Sequence, residues 1–197
     1  MSLVCTAAPT TEPLRLEEVK KHLAVEHPED DAKIANLMTA ARQWVEEYTW
    51  RQLITATFVM RLHRPPCGVI YVPRPKLLGV TSIQYVDWNG VLQTWDSAER
   101  QVDIYSEPGI VAPAYGYSWP SCRDQLNAFI MTFTCGYGPD RDDVPMPIRT
   151  AMLQIVAHLY ENPEPTITGT IATDLQLMFS DLLAPYKFRD ERVTSFV

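Results

Sequence analysis

The 197-residue chain contains no apolar run near the roughly 18 residues that a membrane-crossing helix requires. Its first eleven residues lack the basic-then-apolar pattern of a secretory leader, so a cytosolic site of synthesis and no membrane partner are expected. Basic side chains are in the minority, 17 against 24 acidic, for a net charge of −7. Affinity for phosphate backbones comes from clustered Lys and Arg, which argues against a general nucleic-acid binder while allowing nucleic acid to pass without being gripped. The four cysteines, Cys5, Cys67, Cys122 and Cys135, form no Cys-x-x-Cys pair, and no His stands at a matching spacing, which speaks against structural zinc. Scattered thiols in such a chain are expected to serve as small buried hydrophobes. Glycine is scarce, eight against sixteen prolines, so the connections read as stiff.

Catalytic signatures are also missing. There is no Gly-x-Ser-x-Gly elbow, no glycine-rich phosphate loop and no His-Glu-x-x-His. His22, His27, His63 and His158 stand alone, and no catalytic, cofactor-binding or metal-ligating residue is expected. Asp140-Arg141-Asp142-Asp143 could hold a hard cation. It directly precedes a helix start, however, where the backbone dipole favours carboxylates. Glu29-Asp30-Asp31 reads the same way. The aromatic stretch Tyr115-Gly116-Tyr117-Ser118-Trp119-Pro120 has only Arg123 nearby, so packing is a simpler use for it than base stacking.

With 46% hydrophobic residues, the composition is that of one ordinary globular domain, with an arm. Leu16, Val19 and Leu23 fall three and four apart among charged residues, which predicts a short amphipathic helix closed before Pro28. Asp30 or Asp31 then caps a longer helix in which Ile34, Leu37, Met38, Ala41, Trp44, Val45 and Tyr48 keep the helical period. From residue 53 the texture turns β-branched and aromatic, and strands are expected over 54–62, 69–72, 80–86, 91–95, 102–105, 109–112 and 129–135. Asn89-Gly90 is expected to supply the positive backbone angles of a tight hairpin turn. Helical pattern returns at Pro145-Met146-Pro147, with Ile148, Met152, Ile155, Val156 and Leu159 on one stripe, and a further segment over 175–183 ends before Pro185.

The expected fold class is therefore α+β. About four helices form a core from residues 1–52 and 139–184, a small antiparallel β-sheet or barrel-like subdomain is inserted at 53–138, and residues 185–197 form a C-terminal arm. Excess negative charge sits in the helical parts: residues 1–50 hold nine acidic and five basic side chains, residues 51–138 six and seven.

An ordered series of short motifs resembles the head-tail connector (adaptor) proteins of tailed bacteriophages. Leu16-Glu17-Glu18-Val19-Lys20-Lys21-His22-Leu23 is similar to that family's opening helix; Asp30-Asp31, Ala41-Arg42 and Glu46-Glu47-Tyr48-Thr49 follow on the second. Val72-Pro73-Arg74-Pro75 and Gly79-Val80-Thr81-Ser82-Ile83-Gln84-Tyr85 resemble its proline-bracketed strand and the strand after it, with Asp87 and Gly90 at the hairpin. Trp119-Pro120, Gly136-Tyr137-Gly138, Val144-Pro145, Ala157-His158-Leu159-Tyr160-Glu161-Asn162 and Leu182-Leu183-Ala184-Pro185-Tyr186-Lys187 continue in order. Two positions depart from the pattern: Arg15 replaces a capping Thr or Ser, and Lys187 replaces an Arg, losing its bidentate geometry.

The resemblance implies a non-enzymatic virion protein at the head-tail junction, made in the host cytoplasm. It would form a homo-oligomeric ring, usually twelve-fold, beneath the portal protein and above further neck or tail proteins, with DNA passing through its channel. On that basis Arg42, Glu46, Glu47, His158 and Tyr160 are ring or lumen candidates. Leu182, Leu183, Pro185, Tyr186, Lys187, Phe188 and Arg189 are portal or neck docking candidates, in a segment (175–197) expected to order on docking. The alternatives are another neck or tail-completion protein, or a carbohydrate- or peptide-binding module using Trp88, Trp95, Tyr115, Tyr117 and Trp119.

Overall fold

The computed structural model describes residues 2–162, 179 and 181–188, which divide between two compact units. The helical unit draws on residues 10–54 and 138–188, and the β unit on residues 2–9 and 55–137.

In the helical unit, α1 (Leu16–His22), α2 (Asp31–Thr49) and α3 (Met146–Glu161) pack on one another. The helical period decides which faces are covered: Val19 from α1, Ile34, Met38, Ala41 and Val45 from α2, and Ile148, Ala151, Met152, Ile155 and Val156 from α3 are buried. Leu37, Trp44 and Tyr48 are half-buried, with the rings of Trp44 and Tyr48 stacked at 5.2 Å. Arg15 occupies the cap position of α1 with extended backbone and no side-chain cap bond. Asp30 holds the same position on α2 but makes no cap bond either, contrary to expectation. Its carboxylate accepts from the Tyr160 hydroxyl (2.6 Å), and that of Asp31 pairs with Lys20 (2.6 Å). Both acidic groups thus tie α2 to its neighbours. Pro147 falls in the first turn of α3, where its missing N–H costs nothing.

The β unit contains β1 (Ser2–Ala7), β2 (Ala56–Leu62), β3 (Ile70–Tyr71), β4 (Leu77–Val86), β5 (Leu92–Thr94), β6 (Arg100–Asp103), β7 (Ile110–Pro113) and β8 (Phe129–Cys135). One antiparallel sheet runs β1-β2-β8-β4-β5, the other β3-β7-β6. Residues 2–7 were expected within the helical part and instead pair with β2; they are largely exposed, so no alternation of apolar residues marks them. β2 and β8 pair without a break from Ala56–Cys135 to Leu62–Phe129, and their two-residue period puts Phe58, Met60, Met131 and Phe133 on one buried face. Ile70, Val72, Leu77, Ile83, Trp95 and Val111 are among the residues that join them in that core. The five-stranded sheet is open, bounded by β1 and β5, and not a closed barrel.

The β4–β5 hairpin has a three-residue loop, in place of the two-residue turn expected. The Gly90 N–H donates to the Asp87 carbonyl and the Asp87 N–H to that of Val91, and in this loop only Gly90 has positive φ (83°). A first turn over Trp88-Asn89 followed by a left-handed Gly is the usual three-residue solution. The Asp87 carboxylate favours it by accepting from the N–H groups of Asn89 and Val91, 2.9 Å each.

Candidate functional site

On α2, Arg42 and Glu46 are one turn apart and buried, 8% and 7% exposed. Arg42 donates from Nε to Glu12 (2.8 Å) and from Nη1 to Glu46 (2.9 Å); Glu46 Oε1 accepts from Gln52 Nε2 (2.6 Å) and the Leu53 N–H (3.2 Å). Burial works against the guanidinium charge, but the carboxylates of Glu12 and Glu46 outweigh it and raise the Arg42 pKa. Through this closed network Arg42 and Glu46, two of the ring or lumen candidates, hold the helical unit together from inside. Glu12 and Gln52 escaped sequence reasoning because they lie outside the helix whose period flagged the others. Of the remaining ring candidates, Glu47 is exposed, and His158 and Tyr160 are half-buried. Tyr160 is bound to Asp30, whose hydrogen bond pushes the phenol pKa up, and Lys33 lies 4.4 Å from its ring centroid.

The terminal motif is docked on its own helical unit. Phe179 and Leu183 are buried, Leu182, Tyr186, Lys187 and Phe188 half-buried, and Pro185 exposed. The Phe188 N–H donates to the carbonyl of Thr49 (2.9 Å), Arg51 Nε donates to that of Tyr186 (2.5 Å), and Lys187 Nζ stands 4.3 Å above the Tyr48 ring. The ammonium is placed for a cation–π contact with that ring. Residues 186–188 thus contact Tyr48, Thr49 and Arg51 of the same chain, and Leu183, one of the docking candidates, is buried. Arg189 and most of the expected 175–183 helix lie outside the described residues.

The acidic run before α3 is consumed locally. The Asp143 carboxylate accepts from the Asp140 N–H (3.0 Å), and Arg149 bridges Asp142 (3.1 Å) and Glu18 (3.3 Å). Gly138 is required beside it, since a Cβ there would stand 2.0 Å from Asp143 Oδ2. Among the described residues no cluster of three or more His, Cys, Asp or Glu side chains is arranged for a metal ion. The aromatic residues of the β unit do not converge either. Trp95 is buried with its indole on Glu99 (2.7 Å), and Trp119 lies tilted against Trp95 and edge-to-face with Phe129 and donates to Gly68 O (2.7 Å). Trp88, Tyr115 and Tyr117 are exposed on two separate loops.

Comparison with known proteins bears on the resemblance. Residues 13–77 match the family model described as phage gp6-like head-tail connector protein. Comparison with curated protein sequences gave no match. Solved chains that share the fold include the following three. One, from the neck of an empty gene transfer agent (GTA) particle computed with C6 symmetry, is 20% identical with a TM-score of 0.78. A second, from the virion of a native GTA particle, is 19% identical with a TM-score of 0.79. The third, from the neck of a native GTA particle computed with C12 symmetry, is 21% identical with a TM-score of 0.76. Each comparison covers 96% of this chain and 97% of the other. The likeness to phage head-tail connectors, first visible as a series of short motifs, thus stands on that family's own model over residues 13–77, and over nearly the whole chain the fold is shared with the GTA chains.

Proposed function

We propose that this chain is a structural, non-enzymatic neck protein of a tailed phage or phage-like particle. It is a head-tail adaptor that forms a twelve-fold ring under the portal, joins the DNA-filled head to the tail and lets DNA pass. The observation that carries this reading is the match of residues 13–77 to the connector model. The fold shared with chains from GTA necks, one computed with C12 symmetry, supports it. Charge is compatible with it: a surface with surplus carboxylates repels phosphates, so DNA slides past and releases no counterions.

Within this reading, exposed acidic side chains of the helical unit such as Glu47 face the channel, with His158 and Tyr160 near a subunit contact. Leu182, Pro185, Tyr186, Lys187 and Phe188 lie on the side that meets the portal, continued by the arm that includes Arg189. Particles carrying Glu47→Lys should eject DNA more slowly than wild type, and Glu47→Gln should fall between them. Equal ejection kinetics in all three would remove Glu47 from the channel wall.

A further inference from the structure

The β unit carries an exposed apolar projection and, elsewhere, an apolar recess lined from β2, β3 and the loop between them. The projection is the β4–β5 hairpin: Trp88, Val91 and Leu92 are 68%, 52% and 51% exposed. Its shape is fixed, because Asp87 accepts from two backbone N–H groups of the loop and from Gln93 Nε2 (3.0 Å). A rigid Trp at a hairpin tip gives much contact area for little lost conformational entropy. The recess, about 430 Å³, is lined by Met60, Leu62, Pro65, Pro66, Ile70 and Tyr71, with Arg64 and the exposed Cys67 also on its wall. It lies at the small end of the pocket range, roomy enough for one large aromatic side chain.

We propose that Trp88 of one copy seats in the Met60–Tyr71 recess of the next, so that the β units contact one another around the ring. This rests on the ring reading above and supplies its contact. Two arguments select this occupant. Electrostatically, Asp87 beside Trp88 is held ionised by the N–H groups it accepts from, foremost that of Val91, and it would meet Arg64 on the recess wall. Topologically, β8 and β4 stand between β2, which helps line the recess, and β5 of the hairpin, so these two strands are about 14 Å apart across the sheet. One patch meeting a different patch on the next copy is the heterologous contact from which rings are built. The exposed Tyr115 and Tyr117 fit less well, since their loop is anchored through Trp119 to Gly68, beside the recess itself.

Native Cys67 supplies the test. In particles carrying Val91→Cys, a short bismaleimide should join neighbouring copies into a covalent ladder that disappears when Cys67→Ser is added. Trp88→Ala, at an exposed position, should leave the thermal midpoint of the purified chain unchanged and lower its occupancy in particles about ten-fold. A chain present in the neck that gives no Cys67-dependent ladder overturns this contact alone, as does unchanged occupancy of the Trp88→Ala chain. Absence of the wild-type chain from the neck overturns the ring reading, and this contact with it.

Discussion

Glu46 carries its carboxylate inside the helical unit, only 7% exposed. A glutamate pair at the end of an acidic helix reads as solvated surface, yet one of the two turns inward because Arg42 lies one turn before it and Gln52 and the Leu53 N–H lie just beyond. Removing one partner of a buried ion pair leaves the other charge uncompensated. Glu46→Ala should therefore lower unfolding stability by about 3 kcal/mol in urea titration, the low end of the usual range because Glu12 still holds Arg42. A loss within experimental error would mean that the network contributes nothing net. Glu47, its exposed neighbour, is the position at which charge reversal should slow ejection.

Among the elements, the β4–β5 hairpin couples local chemistry to the proposed contact. Asp87 has a pKa below the usual carboxylate value because it accepts hydrogen bonds from Val91, Gln93 and Asn89. A depressed native pKa means that its support is complete above the unfolded value near 3.9 and is lost as pH falls through the lower native one. The hairpin amide signals in NMR should hold their positions from neutral pH to about 5 and shift only in stronger acid. Asp87→Asn should remove that acid transition, and an unaltered transition would assign it to another group.

The same elements show what was legible in the sequence. Helices α2 and α3 and the β2–β8 pair were readable because apolar period and burial coincide in them: every second residue of Phe129–Cys135 is buried. Strand β1 was not readable, because five of its six residues are exposed and only pairing with β2 makes it a strand. Asn89-Gly90 marked the hairpin correctly and its geometry incorrectly, since the carboxylate of Asp87 decides which turn forms. The docking of residues 181–188 against Thr49, Arg51 and Tyr48 depends on contacts about 135 residues apart in the chain, which no local pattern encodes.

For the whole molecule, the proposed neck role is carried by surfaces. The acidic helical unit and the apolar features of the β unit are different kinds of surface. A neck subunit needs both kinds, the first to let a polyanion pass and the second to hold its neighbours. The most direct test is cryo-electron microscopy of intact particles with this chain marked by a bound antibody fragment. The account predicts marked density in a ring between the portal and the tail. A complete neck with the mark elsewhere in the particle, or absent from it, would contradict the account.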